Sequence, residues 1–373
     1  MASKVWFASF RTQNAEGNKI NRLRRVMDAM NMTGVLRDGD LTAVKVHFGE
    51  RGNDTYLSPV FVRQVVDRVK AAGAKPFVTD SNTLYRGSRK NSVDHLETAL
   101  EHGYSYATVG APIIIADGLR SGNYVDVQVD GKYFRKVKIA ADIAAADSMV
   151  VLSHFKGHGM AGFGGAIKNL AMGCAPSKGK EDQHAYIHPH VNADCCQGCG
   201  RCVAQCPEYA IRLDAKRKAT VNTQMCIGCG ECAATCASNC IDMKGGDASD
   251  LSEFIARMTE YAYGAVLQKK DRVAFISFVM NVTPDCDCCG WSDSALVPDV
   301  GIMASFDPVA LDKACLDRVN AQSGNPDSQL SEDAIARGAD KFKGVYPNVH
   351  GEIQIDYGAA LGMGTQSYET VEV

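Results

Sequence analysis

Eight cysteines in two identical spacings constrain this chain more than any other feature. Cys196, Cys199, Cys202 and Cys206 are separated by two, two and three residues and followed by Pro207; Cys226, Cys229, Cys232 and Cys236 repeat that spacing thirty residues on (226 against 196). A fixed offset of this kind marks an internal duplication. Three thiolates at two-residue gaps, on loops carrying Gly198 and Gly200 or Gly228 and Gly230, curl around three corners of an iron–sulfur cube while backbone N–H groups point at its sulfides. The fourth corner needs a more distant ligand. In a two-cluster arrangement the remote cysteine of each copy crosses over. That assigns one [4Fe–4S] cluster to Cys196, Cys199, Cys202 and Cys236 and the other to Cys226, Cys229, Cys232 and Cys206. Zinc also binds four cysteines with two-residue gaps, but it takes its ligands as two pairs and leaves the third evenly spaced thiol of each copy unexplained. Two adjacent cubes store and pass single electrons.

The segment holding these motifs closely resembles the bacterial-type two-cluster ferredoxins. It departs from them at Ala237, where proline usually follows the last cysteine; the local turn changes and the ligand set does not. Cys195 and Cys240 are extra thiols beside the motifs, bystanders or alternative ligands. Between Asp194 and Lys244 stand six basic and five acidic residues, so the segment lacks the acidic surface of a free shuttle and suits an internal wire.

The rest of the chain has another texture. Leu41 to Phe48, Lys75 to Asp80 and Ser148 to Phe155 are short runs rich in Val, Ile and Phe, which read as buried strands. Between the first two, Pro59 to Ala72 carries Val62, Val65, Val66 and Val69 at helical spacing, starts at Ser58-Pro59 and ends at Gly73. Strand, helix and strand in this order predict an α/β fold, a mainly parallel sheet with flanking helices and functional loops at the carboxyl ends of the strands. Val191 to Gly245 cannot build a hydrophobic core of its own. Beyond it a helical stretch around Leu251 to Val266, strands at Arg272 to Val279 and Val300 to Phe306, and a helix near Val309 to Val319 resume the α/β pattern. The expected division is therefore an α/β domain in two parts, residues 1–190 and 246–373, interrupted by a two-cluster ferredoxin-like module at 191–245. Two independent α/β domains are the rival account.

A chain of 373 residues with 46% hydrophobic and 22% charged residues is ordinary globular protein. Its net charge of −3, with neither a basic stripe nor an aromatic platform, argues against a nucleic-acid partner. No apolar run reaches the roughly 18 residues that cross a bilayer, and no export signal opens the chain. Reduced thiols in the cytoplasm, free for metals, are the expectation.

Reactive residue types gather at the expected strand ends. Gly157, Gly159 and Gly162 match G-x-G-x-x-G after a strand, a pattern that can expose N–H groups to an anion. The acidic residue of a dinucleotide site is missing downstream, and Lys168 is followed by Asn169 where a P-loop has Ser or Thr. Gly157, Gly159, Gly162, Gly164 and Asn169 are the cofactor-binding candidates of this loop. Lys156, His158 and Lys168 are its candidates for anion contacts or acid–base work. Lys45 and His47 alternate on one strand face and can enter the same cleft, near Arg51 and Asp80-Ser81-Asn82. Cys286, Cys288 and Cys289 are too clustered for chance core packing. Two of them with His158 or Cys174 would ligate a third metal centre, while Cys174 and Cys315 otherwise read as core residues.

Val46-His47-Phe48-Gly49-Glu50-Arg51-Gly52-Asn53, Ser153 to His158, Gly164 to Leu170, the double cysteine repeat and Thr283-Pro284-Asp285-Cys286-Asp287-Cys288 together resemble the prokaryotic iron–sulfur-centre proteins grouped as domain of unknown function 362. The resemblance covers nearly the whole chain. It implies an α/β domain carrying an inserted two-cluster ferredoxin module, mostly in anaerobes, and brings no agreed substrate. Two functions stay open. In the first, an iron–sulfur oxidoreductase passes electrons from a redox partner protein through two [4Fe–4S] clusters to an anionic small molecule, a flavin or a further metal centre in the α/β domain. In the second, the chain is a non-catalytic electron carrier or an assembly factor that loads metal or clusters onto a partner.

Overall fold

The valine-rich runs form the middle of one sheet. The computed structural model describes residues 2–245 and 251–373. Its strands in chain order are β1 (Ser3–Ser9), β2 (Leu41–Lys45), β3 (Lys75–Asp80), β4 (Ile113–Ile115), β5 (Tyr124–Gln128), β6 (Lys136–Ala140), β7 (Ser148–His154), β8 (Lys156–His158), β9 (Gly162–Gly164), β10 (Ile187–Val191), β11 (Ile211–Leu213), β12 (Ala219–Val221), β13 (Ile241–Gly245), β14 (Val273–Val279), β15 (Gly301–Ser305) and β16 (Tyr368–Glu372). Eight of them make the sheet β16-β1-β15-β14-β7-β2-β3-β4. Every neighbouring pair is parallel except the two that β15 makes with β1 and β14. The fold class is the expected one, mixed α/β with a mainly parallel sheet flanked by helices.

Both faces of the sheet are covered, which is why its strands read as continuous apolar runs rather than alternating ones. Along β7, Met149 and Val151 join a core with Ile167, Leu170, Ile255 and Met258, while Val150 and Leu152 join the opposite core with Leu23, Val62, Val65 and Val66. The helix Pro59–Ala71 starts where the sequence predicts, with the Ser58 hydroxyl accepting from the Val60 N–H and proline in the first turn. The helix Pro308–Asn320 starts the same way, Asp307 Oδ1 accepting from Val309 and Ala310 at 2.9 Å.

Strands on either side of the cysteine-rich stretch pair directly, β7 with β14. The stretch leaves on β10 and returns on β13, an antiparallel pair, and carries the small hairpin β11–β12. Cys202, Cys206 and Cys232 pack inside it with Ala210, Ile211, Ala219 and Ile241. It thus has an interior after all, one in which thiols stand where apolar side chains usually do. The boundary expected between 245 and 246 borders residues 246–250, outside the described residues. The expectation of uniformly reduced thiols fails at one place: Cys195 and Cys240 form a disulfide, their Cα atoms 5.7 Å apart. Pairing of β10 with β13 brings them together, the Asn192 N–H donating to the Cys240 carbonyl at 2.9 Å.

Candidate functional site

The carboxyl ends of β2, β3, β7 and β14 open on one side of the sheet, where their loops line a cleft of about 1300 Å³. Asp80, last residue of β3, organises its first wall. Oδ1 lies 3.0 Å from Nζ of Lys45; Oδ2 lies 3.3 Å from Nδ1 of His47 and 3.8 Å from Nη1 of Arg89. Lys45 also donates to Oδ1 of Asn169 at 2.7 Å, and Arg89 pairs with Glu50, Nε to Oε2, at 3.2 Å. Burial by itself raises the Asp80 carboxyl, but Lys45 and His47 outweigh it and hold the group well below the usual carboxylate range.

Asp287 plays the same part on the opposite wall. Its carboxylate takes Nδ1 of His154 at 2.9 Å and lies 3.4 Å from Nζ of Lys156. Nε2 of His154 meets the carbonyls of Met280 and Asn281 at 2.7 and 3.1 Å, so both ring nitrogens face acceptors. Burial opposes ionisation of Asp287, and His154 and Lys156 overcome it, keeping the carboxyl far below its ordinary value.

Cys286 and Cys288 flank Asp287 and line the cleft, with Lys168 Nζ 3.6 Å from the Cys286 sulfur. Together with His158 they offer ligand atoms that all lie within 4.8 Å of one another, a candidate metal-binding group. The hydrogen bond with Cys288, and then burial, raise the Cys286 thiol against the pull of Lys168 and Lys156. Nδ1 of His158 accepts from the N–H groups of Met160 and Ala161 at 3.2 and 3.1 Å. Burial, with Lys168 and Lys156 nearby, holds His158 well below its ordinary value. The neutral ring therefore carries its proton on Nε2, and a metal reaches that atom only by displacing it.

The glycine-rich stretch that aims these groups is no strand-to-helix phosphate turn. β8 and β9 pair as an antiparallel hairpin. A Cβ on Gly157 would sit 2.1 Å from the Pro284 carbonyl oxygen, and one on Gly162, at φ +74°, 2.8 Å from Gly351 Cα. These two glycines let the hairpin pack on the Cys286 loop and do not line the cleft; Gly159 and Gly164 do. The helix Ala166–Gly173 follows, its first N–H groups at Ala166 and Ile167 received by Asp312 at 2.7 and 2.9 Å. Lys168 and Asn169 lie on its first turn.

The second cysteine copy closes the cleft: Cys229, Gly230, Glu231 and Thr235 line it, and none of Cys196, Cys199 and Cys202 does. Arg86, also in the lining, fastens the first copy instead, donating to the Ala204 carbonyl and the Tyr209 hydroxyl at 3.2 and 3.3 Å. None of the eight motif cysteines is in a disulfide. Burial is the main cause that raises the Cys226 and Cys229 thiols, the latter to about 11, and Cys206 adds to both.

A sequence profile described as domain of unknown function, DUF362, matches residues 42–317. The chain belongs to this family. DUF362 residues thus supply both cysteine copies and most of the cleft. The thylakoid-associated protein sll1697 of Synechocystis sp. (strain PCC 6803) is 27% identical over 179 residues, 47% of this chain and 52% of that protein. The chain therefore spans about half the length of the curated relative it matches. Two solved structures align weakly. The lactate racemase apoprotein of Thermoanaerobacterium thermosaccharolyticum has a TM-score of 0.39 at 11% identity, over 80% of this chain and 54% of that one. A Thermotoga maritima protein has a TM-score of 0.40 at 10% identity, over 82% and 60%. At these scores neither informs the chemistry. Among the described residues no helix is long and apolar enough to cross a membrane.

The structure brings Lys45, His47, Lys156, His158, Lys168, Asn169, Cys286 and Cys288 of this DUF362 chain together around one cleft. His158, not Cys174, joins the two thiols; Cys174 is fully buried, and burial pushes its thiol up to about 11. Arg51 instead pairs with Glu101 on the surface at 2.6 Å. Glu50, Tyr85 and His184, from the loops and the histidine-rich stretch expected around the cleft, line it as well, and sequence reasoning missed Arg89. Arg89 follows an irregular stretch without periodicity, and only the fold takes it to Asp80.

Proposed function

We propose that this DUF362 chain is an iron–sulfur redox protein that carries single electrons through two [4Fe–4S] clusters to an anionic small molecule held in the cleft. The observation that carries this reading is one cavity with Cys229 on one wall and Cys286, Cys288 and Lys168 on the other. Bound clusters would supply one-electron transfer. The residues present suit them. Amide N–H groups reach the sulfurs, Ala210 to Cys206 at 3.2 Å, Cys240 to Cys236 at 3.3 Å and Gly228 to Cys226 at 3.5 Å. Positive φ at Gly198, Gly200, Gly228 and Gly230 turns both loops as a cage requires.

Within the cleft, Lys45 is held by Asp80 and Lys156 by Asp287. Among the described residues no carboxylate pairs with Lys168, whose partner is the Cys286 sulfur. Lys168 Nζ and the His158 Nε2–H are accordingly the groups that receive an anion. A second reading rests on the close grouping of His158, Cys286 and Cys288: a thiophilic metal ion bound there would accept the electrons instead. The deciding experiment is metal and sulfide analysis of anaerobically purified protein with its visible spectrum. About eight irons and eight sulfides per chain, with colour that bleaches on reduction, are expected. Colourless protein with zinc in the cysteine sites refutes the proposal.

A further inference from the structure

The two cysteine copies are alike in sequence and unlike in surroundings. The second meets the cleft, whereas Cys199 of the first is exposed. Charge is divided the same way. Of the six basic residues between Asp194 and Lys244, Arg201, Arg212, Lys216, Arg217 and Lys218 lie on the helix within the first copy and the hairpin after it, five against the three acidic residues Asp194, Glu208 and Asp214. Beside the second, Glu231 and Asp242 line the cleft with the single cation Lys244.

Two of these cations lie directly over the first cysteine loop. Arg217 Nη2 donates to the Gly198 carbonyl at 3.1 Å and Lys218 Nζ to the Cys196 carbonyl at 2.7 Å. Arg201, Arg212 and Lys216 are exposed. Among the described residues none of the five is held in an ion pair. The acidic residue nearest in sequence, Asp214, is taken up by the hairpin turn, its Oδ1 accepting from the N–H groups of Lys216 and Lys218 at 2.9 and 2.8 Å.

We infer that this basic face around Cys199 docks a small acidic one-electron carrier protein, which delivers electrons to the first copy while the second passes them into the cleft. The inference rests on the redox reading above and adds the partner's chemistry and its place of entry. A ring of unpaired cations raises the association rate of an acidic protein by about 10 to 10³ at low salt. In the transfer step the carrier loses one electron and one cluster gains it, with no bond made or broken.

The test uses the intact, anaerobically purified chain and an acidic flavodoxin as probe. Binding of oxidised flavodoxin is titrated at about 50 and 300 mM salt, where screening lengths differ more than twofold. Its hydroquinone anion is then the reductant whose one-electron oxidation bleaches the chain. The double variant Arg212→Glu/Lys216→Glu is expected to bind about tenfold more weakly at low salt, the gap closing at high salt. Arg212→Gln/Lys216→Gln falls between. Reduced methyl viologen, a small cation that needs no docking face, bleaches wild type and both variants alike. Unchanged flavodoxin binding in both variants overturns the inference, as does single-stranded DNA bound as tightly as flavodoxin, which would mark a plain polyanion patch. A chain that viologen cannot bleach refutes the redox reading itself, and the docking face with it.

Discussion

Asp80 is the most consequential single charge in the cleft, and Asp80→Asn tests that directly. The substitution keeps shape and removes the negative charge that Lys45, His47 and Arg89 share. At 3.0 Å and an effective dielectric of about 20, the attraction of Lys45 alone amounts to roughly 5.5 kcal/mol, much of it offset by the desolvation of both ions. Breaking a buried pair from one side leaves the partner uncompensated, and the expected loss of folding stability is about 3–5 kcal/mol. Lys45 is fully buried, so water cannot replace the lost partner. Urea unfolding under anaerobic conditions, followed by far-ultraviolet circular dichroism, measures it. The double variant Asp80→Asn/Lys45→Met should recover part of the loss, because an apolar chain needs no counter-charge. The pH dependence has a definite sign. The folded carboxyl lies well below its ordinary value of 3.8, so its stabilisation is fully present above about pH 4 and fades as the pH falls further. The difference between wild type and Asp80→Asn should shrink over that acid range alone. A loss under about 1 kcal/mol, or a double variant no more stable than the single, would refute the account of Asp80 as the keystone of this wall.

Other perturbations address other parts of the cleft. Cys286→Ser with Cys288→Ser should leave about eight irons per chain and remove any metal in excess of them, read by elemental analysis; excess metal that survives excludes a third centre on these thiols. Lys168→Ala should weaken binding of small carboxylates by about 10- to 100-fold, the worth of a charge-assisted hydrogen bond, with iron content unchanged; equilibrium dialysis reads the first and elemental analysis the second. Gly157→Ala should cost about 1–3 kcal/mol in chemical unfolding, because the atom its Cβ meets is the Pro284 backbone oxygen, which cannot swing aside. Burial raises Asp312 from 3.8 to about 7, so stability should decline as pH rises from about 4 to 7 and level off above it. Asp312→Asn should lose that slope in unfolding measured across the same range.

Much of the sheet was readable because its central strands are buried on both faces, and continuous apolar runs are a strong signal. Lys75 to Asp80 was delimited correctly; the run from Leu41 ends as a strand at Lys45, three residues early, as the chain leaves the sheet to carry His47 and Glu50 to the cleft. The placement of β1 and β16 was not readable. β1 pairs with both β15 and β16 across some three hundred residues of chain, Trp6 opposite Ala304 and Val371, and no local pattern encodes such a register. The site divides in the same way. Lys45 was legible from its place at a strand end, whereas His47 reaches the cleft from the loop beyond β2 and not by alternation along the strand; Cys286 and Cys288 were legible from sheer density of thiols. Glu50, Arg89 and the choice of His158 over Cys174 depend on tertiary approach, which the β8–β9 hairpin and the 81–91 loop settle.

A duplicated sequence need not yield equivalent halves, and here the tether decides which half meets the cleft. The helix Ser177–His184 leads into β10, and Lys180 within it is fastened to the end of β3, donating to Ser81 Oγ at 2.8 Å, the Asn82 carbonyl at 2.7 Å and the Ala175 carbonyl at 2.6 Å. Burial holds that ammonium down to about 8, yet all three of its donors are used. Gly228 of the second copy rests on the same helix, where a Cβ would come within 2.6 Å of the His184 carbonyl oxygen and 2.7 Å of that of Ile187. The strand end that presents Asp80 therefore also anchors the base of the cysteine-rich stretch. The two copies stand equally close in sequence to the paired strands β10 and β13, so it is the close seat of Gly228 on this helix that holds the second copy against the cleft. Loss of the Lys180 anchor would loosen the second cysteine loop and the Asp80 wall together, a coupling that neither the cysteine spacing nor the strand pattern contains by itself.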